Sequence, residues 1–372
     1  MFPLFSRCIS LILLSLVYAN ASADTMFSVE NEIDVHYKKQ LPIYLQHDLG
    51  DVTITGWNQD LIRVKYKKSV TADTEENAKV IFKKFDLISL ETPQAIELRI
   101  GTPQGTDILS KLRNRQQKKN IKIDLEIKAP SSLAFSIVLG TMIKLKLLGW
   151  RGKINITGKN NSLELSKLRA SFPLSLNCVN CSLLVNDSEF SGSIFVSDQK
   201  IELKKTRATP QPILIFSQKG EVSMENTQGD FQIRSQSGDM NAKGHQGGLQ
   251  VQSDSGKVRV EELEGNLDLQ TQTGDIKVLV KKVLDQLEIK NRSGQIDITL
   301  PHDFEGDVNL QSIKGDVSTD FTIQKNKKKM EMLYGPEIKG RLFGTIGTNS
   351  SVNVSVSSES GKINLKQKDL PQ

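Results

Sequence analysis

Apolar and polar residues follow a nine-residue repeat through the middle of the chain. A glycine opens each nonapeptide, at Gly220, Gly229, Gly238, Gly247, Gly256, Gly265 and Gly274. One mostly polar residue follows, and then two apolar residues separated by one position: Val222/Met224, Phe231/Ile233, Met240/Ala242, Leu249/Val251, Val258/Val260, Leu267/Leu269 and Ile276/Val278. Residues two apart lie on one face of a strand, and glycine permits a tight corner. Each nonapeptide therefore predicts one short strand and one corner.

The corners alternate between two kinds, so the structural repeat spans two nonapeptides. Corners of the type Ser/Thr-x-Ser/Thr-Gly end at Gly238, Gly256 and Gly274, and Asn291 begins a similar corner that ends at Gly294. A fixed period of this kind is typical of solenoid proteins. We therefore predict an all-β fold, a parallel β-solenoid (β-helix) with coils of about 18–20 residues.

The pattern divides the chain into five parts. We predict a signal peptide at 1–23, a strand/helix cap region at 24–132, the β-solenoid repeat at 133–321, a basic loop at 322–345, and C-terminal solenoid strands with a tail at 346–372.

In the last part of the repeat, the first apolar residues of successive strands are more unevenly spaced. They lie at Leu287, Ile296, Val308 and Val317 and continue the solenoid, and strands return after the basic loop.

The cap region, a small α+β segment, contains one break in the strand pattern. Thr74 is a suitable helix N-cap, acidic residues follow it, and Ala78, Ile81 and Phe85 have helical spacing. We predict an amphipathic helix over 75–86. Because an exposed sheet edge favours aggregation, we expect this helix to cover the open end of the solenoid.

The N-terminus has the pattern of a secretory signal peptide. Arg7 precedes an apolar run from Cys8 to Ala19, and small residues lead to a cleavage site expected after Ala23. The run is too short to span a bilayer, which takes about 20 residues. We therefore expect an exported protein, periplasmic or at the cell surface or secreted, with no transmembrane anchor after signal removal. The formal net charge of +6 is only a mild basic bias.

Several motifs connect the chain with a known family. At the S-x-S-G-D corners, the E-L-E-G-N-L-D-L segment and the closing strands at 344–365, the chain resembles bacterial β-strand-repeat proteins of unknown function that are described as candidate adhesins. The resemblance covers most of residues 40–366. It implies a β-solenoid and a periplasmic or surface location. The family offers no catalytic residues to carry over, and we expect no cofactor.

The Gly-Asp corners raise the question of calcium. A calcium-binding β-roll needs two glycines and an Asp in every turn. Here the residue after glycine at alternate corners is Glu221, Asp239, Lys257, Asp275, Gln295 and Asp316. A lysine in that column argues against a metal ladder, so we interpret the aspartates as turn residues.

An enzyme is the rival class, because β-solenoids also include polysaccharide lyases and hydrolases. Such enzymes need paired carboxylates or a base beside a metal. Acidic residues here are mostly single outward residues of strands, such as Asp268 and Asp297, or corner residues. The histidines have no ligand spacing, and we interpret them as surface or loop residues: His36, His47, His245 and His302.

Cys178 and Cys181 form a C-x-x-C sequence between two apolar pairs. A thioredoxin-like site would need this motif at the start of a helix. The surrounding strand pattern instead predicts a solenoid corner. We expect a structural disulfide there, with two free corner thiols as the alternative.

Two cationic segments interrupt the strand pattern. They contain the residues Lys111, Arg113, Arg115, Lys118, Lys119, Lys325, Lys327, Lys328 and Lys329. The simple interpretation is solvated loops that aid solubility. The more specific interpretation is that these residues form a contact site for an anionic envelope polymer, because clustered cations attract polyanions. Few aromatic residues accompany them, so we expect no nucleic-acid partner.

These features favour an exported, non-enzymatic β-solenoid with an adhesin-like or envelope-binding function. The expected partner is an anionic envelope glycan or an envelope protein. Two alternatives stay open: a periplasmic structural scaffold, and a polysaccharide-active β-helix enzyme.

Overall fold

The chain folds almost entirely into β-strands, which confirms the predicted all-β class. The computed structural model describes residues 25–36, 41–101, 121–324, 340–348 and 351–368. Within these ranges there is one helix. The described residues form two compact units that divide between Cys181 and Ser182. The predicted signal peptide at 1–23 lies outside the described residues.

The first unit contains twelve strands and the helix. Their bounds are β1 (Thr25–Val35), β2 (Ile43–His47), β3 (Val52–Trp57), β4 (Ile62–Ala72), α1 (Glu75–Lys84), β5 (Asp86–Glu91), β6 (Ile96–Gly101), β7 (Ile121–Pro130), β8 (Phe135–Leu139), β9 (Lys144–Leu148), β10 (Ile154–Lys159), β11 (Ser162–Ser166) and β12 (Leu174–Val179).

These strands form two ladders. One has the order β1–β4–β7–β3–β9–β11, and the other has the order β5–β6–β2–β8–β10–β12. The pairs that involve β1, β4 or β5 are antiparallel, and the others are parallel. In the parallel part, Phe135 lies opposite Ile154 and Ile154 lies opposite Leu174. These side chains are buried, so each repeat adds one apolar pair to a common core column.

The pairing of β2 and β3 changes the extent of the repeat. Both pair directly and in parallel with β8 and β9. The parallel ladders therefore already include residues 43–57, which the predicted cap region at 24–132 had placed before the solenoid.

Helix α1 connects β4, the second strand of one ladder, to β5, the first strand of the other. Thr74 caps it, since its hydroxyl accepts a hydrogen bond from the Asn77 N–H at 3.2 Å. Ala78 is fully buried in a cluster with Val70 and Ala72 of β4. The predicted helix is therefore present, although it ends at Lys84 because Asp86 begins β5.

The second unit contains fourteen strands. Their bounds are β13 (Ser182–Val196), β14 (Ile201–Ser217), β15 (Val222–Glu225), β16 (Phe231–Ser235), β17 (Met240–Lys243), β18 (Gln246–Ser253), β19 (Val258–Thr273), β20 (Ile276–Ser293), β21 (Ile296–Leu300), β22 (Gly306–Ser312), β23 (Val317–Thr319), β24 (Arg341–Ile346), β25 (Asn353–Ser358) and β26 (Ile363–Gln367).

Two parallel ladders continue through the nonapeptide region. In one of them Val222, Met240, Val258 and Ile276 follow one another, each opposite the residue 18 positions later. In the other, strand β16 pairs with β18, and β18 pairs with the second half of β19. The apolar pairs named from the sequence are at most 2% exposed between Val222 and Val278. Their predicted inward orientation is therefore confirmed.

Glycine is required at the corners where successive repeats approach each other. Gly256 has a φ of +113°, and an added Cβ would overlap with the backbone carbonyl of Gly238. Gly274, with a φ of +125°, has the same relation to the carbonyl of Gly256. The nine-residue glycine period therefore reflects backbone contact between stacked corners as well as a positive φ.

The C-terminal strands correct the predicted order of the repeat. Strands β25 and β26 lie between β20/β21 and β22/β23, and pair in parallel with both. The steps at Val308 and Val317 therefore do not follow Leu287 and Ile296 directly. Periodicity along the chain could not reveal this, because 33 residues (320–352) separate the two segments. The predicted basic loop at 322–345 also contains the start of a strand, since β24 pairs antiparallel with β22.

Candidate functional site

A shallow groove crosses the outer face of successive repeats in the second unit. Strands β16, β18, β19 and β20 contribute equivalent positions to it. The lining residues include Asp230, Gly248, Asn266 and Gln286 on one side and Gln232, Gln250, Asp268 and Glu288 on the other. The groove is open to solvent and has a volume of about 300 Å³. Its residues come from one ladder, in which each strand is the direct partner of the next.

Backbone hydrogen bonds fix one side of the groove. The Oδ1 atom of Asp230 accepts from the Gly248 N–H at 3.0 Å, which joins one repeat to the next. The Oδ1 atom of Asn266 accepts from the N–H groups of Asp285 and Gln286 at 2.9 and 3.2 Å. These side chains therefore hold fixed positions at the edge of the groove.

Side-chain hydrogen bonds fix the other side. The carboxylate of Asp268 accepts from Gln250 Nε2 and Gln270 Nε2, both at 3.3 Å. Glu288 accepts from Gln286 Nε2 at 2.9 Å and forms an ion pair with Lys290. A carboxylate has about four lone-pair sites, so these groups keep the capacity to accept further hydrogen bonds.

The groove was not predicted. Asp268 was interpreted as a single outward residue, whereas the structure places it directly opposite Glu288. The available signal was the identity of the residue between the two apolar positions. At intervals of 18 residues that position is Gln232, Gln250 and Asp268, all side chains with hydrogen-bonding oxygens.

The aspartates of the Gly-Asp corners have a structural role. Asp239 accepts from the Lys257 N–H at 2.9 Å, and Asp275 accepts from the Gln295 N–H at 3.0 Å. Each carboxylate thus satisfies the first backbone donor of the next repeat. Within the described ranges, no group of three or more His, Cys, Asp or Glu residues could hold a metal ion.

Cys178 and Cys181 form a disulfide at the end of the first unit. Their Cα atoms are 5.6 Å apart, and neither residue is exposed. Asn180, between them, has a φ of +54°, and its Nδ2 donates to Asn160 Oδ1 at 2.7 Å. Asn160 belongs to the corner of the preceding repeat, so the bridge lies in a stacked corner.

Two histidines differ from their expected surface positions. His47 is 1% exposed and His245 is 0% exposed. Each ring has Nε2 near the carbonyl oxygen of the glycine three residues later, at 3.1 Å for Gly50 and 3.4 Å for Gly248. Burial lowers the pKa of both rings to about 4. Both histidines therefore act as neutral core residues.

The nine cationic residues named from the sequence all lie outside the described residues, so their contact with a polyanion stays a prediction. Among the residues that the structure does describe, no helix is long and apolar enough to cross a membrane.

A known family model matches the part of the chain that contains the strand repeat. Residues 51–366 match the family model described as Toastrack DUF4097, and the chain belongs to this family. No protein in a search of the curated proteins matches it.

One solved structure among the matches is a candidate cell adhesion protein from Clostridium sporogenes ATCC 15579, solved at 1.95 Å resolution. It shares 11% sequence identity with the chain, and the match covers 91% of this chain and 100% of that one. The TM-score is 0.19, at which the likeness carries no argument about fold or function.

Proposed function

We propose that this chain is an exported, non-enzymatic β-solenoid protein that binds an extended glycan of the cell envelope through the polar groove. Ladder partners 18 to 20 residues apart support coils of that length, as with Val258 opposite Ile276 and Ile276 opposite Ile296. The adhesin-like role rests on one observation. Successive repeats present amide and carboxylate groups at equivalent positions along one groove.

The chemistry of the groove favours a polyhydroxylated ligand without net negative charge. Amides donate and accept hydrogen bonds, and carboxylates accept from hydroxyl groups. Asp230, Asp268 and Glu288 would repel an anionic polymer. The groove therefore suits a neutral or cationic glycan. An anionic glycan would need the cationic segments at 111–119 and 325–329, and that contact remains a separate proposal.

The repeated spacing favours a polymer over a single sugar. Neighbouring strands lie about 4.8 Å apart, so equivalent groups recur at that interval along the groove. One sugar unit would reach only one or two of them. We therefore expect the affinity to rise with the length of the glycan.

The direct pairing of Asp268 with Glu288 is the one observation that favours a polysaccharide hydrolase. Strands about 4.8 Å apart can place two carboxylates near the separation of about 5–5.5 Å that retaining glycosidases use. Against catalysis, Asp268 is held between two glutamines and Glu288 is paired with Lys290. We therefore prefer binding, and the test below separates the two functions.

The test uses the exported protein and a panel of neutral, cationic and anionic glycans of increasing length. The groove variant is Gln232→Ala with Gln250→Ala. The matched control is Gln236→Ala with Gln272→Ala, which changes the same residue type at corners of the same region. The proposal predicts that the groove variant loses binding to neutral or cationic glycans and that the control keeps it.

The other outcomes would exclude the groove or favour one of the two alternative functions. Equal binding by the two variants would exclude the groove as the site. Release of reducing ends from a bound glycan, lost in Asp268→Asn, would establish the enzyme. Absence of glycan binding with stable co-purification of envelope proteins would favour the structural scaffold.

A further inference from the structure

The position between β20/β21 and β22/β23 is a binding slot for a pair of parallel strands. In the observed fold, β25 and β26 fill it. Val354 lies opposite Leu287 on one side and opposite Val308 on the other. Ile363 lies in the same way between Ile296 and Val317. Both inserted strands therefore have hydrogen-bonded neighbours on each side.

The occupant is held by its corner as well as by its ladders. Ser312 Oγ donates to the Gly361 carbonyl at 2.7 Å, and the Gly361 N–H donates to Ser358 Oγ at 2.8 Å. The N–H groups of Glu359 and Ser360 donate to the carbonyls of Asn291 and Arg292. The slot therefore recognises a strand–corner–strand segment of the type found at 353–367.

The apolar residues of the flanking strands would lie in register with each other if β25/β26 left the slot. Leu287 and Val308 both lie opposite Val354, and Ile289 and Leu310 both lie opposite Val356. Closing the slot would bring Leu287 against Val308 and Ile289 against Leu310 in register. An apolar pairing is therefore available to the flanking strands if β25/β26 open locally.

We propose that the slot accepts β25/β26 from a second copy of this chain, so that two copies exchange their C-terminal strands. The slot is already filled by that sequence, which identifies a segment that fits every ladder pair and corner bond. Strand β24 precedes β25 in the chain and pairs antiparallel with β22, so the exchanged segment begins after Ile346. Exchange of an identical element between copies is a low-cost route to a dimer.

The experiment uses full-length chains that each carry one added cysteine at an outward position, beside the native Cys178–Cys181 disulfide. Glu288 and Ser355 are direct ladder partners across the slot. One population carries E288C and a second, with a different tag, carries S355C. The two are incubated together at raised temperature and then oxidised. The proposal predicts a disulfide-linked heterodimer that contains both tags, with a yield that rises with protein concentration.

Two controls test the slot and the specificity of the exchange separately. The doubly substituted chain E288C/S355C should form the same bond within one molecule, and failure to do so would overturn the slot itself. A mixture of Q250C with S355C should give no heterodimer, because Gln250 faces β16 and β19 in the ladder and does not border the slot. Intramolecular bond formation without a heterodimer in the E288C/S355C mixture would overturn exchange. Equal heterodimer yields in both mixtures would also overturn it.

Discussion

Asp275 and Ile276 are adjacent in sequence but have opposite surroundings. Ile276 is 1% exposed in the core column, whereas Asp275 lies at a corner and accepts from the Gln295 N–H. Ile276→Asp would bury an unpaired carboxylate and should lower the free energy of unfolding by roughly 3–5 kcal/mol. Asp275→Lys should lower it by about 1 kcal/mol at most, because one exposed hydrogen-bond acceptor is lost. Denaturant titration measures the free energy of unfolding of both variants. Equal losses would contradict the inward orientation of Ile276 and the corner position of Asp275.

Lys257 occupies the column equivalent to Asp275, and by itself this would indicate little effect of Asp275→Lys. The structure adds the reason for a measurable loss. At the Lys257 corner, the carboxylate of the preceding repeat accepts the Lys257 N–H, so that residue contributes its backbone as a donor. The residue types found at a corner indicate which substitutions the corner tolerates. Only the strand pairing shows which backbone N–H each corner carboxylate accepts from.

The buried histidines predict a loss of stability in mild acid. The pKa of His47 and of His245 is about 4 in the folded chain, against 6.5 for an unperturbed histidine. Between these values the unfolded chain binds more protons, so the free energy of unfolding falls as the pH drops from 6.5 towards 4. Each ring contributes roughly 3 kcal/mol to this fall.

The measurement is the urea midpoint as a function of pH. A His47→Gln and His245→Gln double variant should lose most of the fall between pH 6.5 and 4. His302→Gln, at a side chain that is 51% exposed, serves as the matched control and should keep it. An unchanged pH profile in the double variant would show that other groups cause the fall.

At the scale of elements, the helix offers a separate test. Thr74 Oγ1 accepts the Asn77 N–H, and loss of an N-cap typically costs about 1 kcal/mol. Thr74→Ala should therefore lower the free energy of unfolding by about that amount. Thr74→Ser keeps the oxygen and should remain near the wild-type value. If Ser and Ala had the same effect, the cap would not contribute as the geometry indicates.

Strands and corners were predictable because core burial imposes a period on the sequence. Val222 and Met224 must both point inward, and Gly256 must leave room for Gly238. The order of the last repeats was not predictable. Val308 and Val354 have equally suitable apolar patterns, so spacing along the chain does not decide which one lies beside Leu287.

The sequence carried only a weak signal for the groove, for a physical reason. Outward residues such as Gln250 are not constrained by the core, and their meaning appears only when the ladder brings Gln232, Gln250 and Asp268 together. The cationic residues Lys327 and Arg113 illustrate the opposite case. The sequence identifies them clearly, yet they lie outside the described residues and gain no structural argument.

At the scale of the molecule, the central claim is that strands follow a ladder order that differs from chain order. In the second unit the outward column reads Gln232, Gln250, Asp268, Glu288, Ser355 and Asn309. Ser355 is therefore four strand spacings from Gln232, and Asn309 is five. With about 4.8 Å for each spacing, the expected separations are about 19 Å and about 24 Å.

Spin labels at these positions test the claim most directly. One sample carries labels at Gln232 and Ser355, and the other carries them at Gln232 and Asn309. Pulsed dipolar spectroscopy on the two samples should give the longer distance for Asn309, by about one strand spacing. A longer distance for Ser355 would mean that the strands follow chain order, and the inserted pair, its slot and the exchange between copies would all be contradicted.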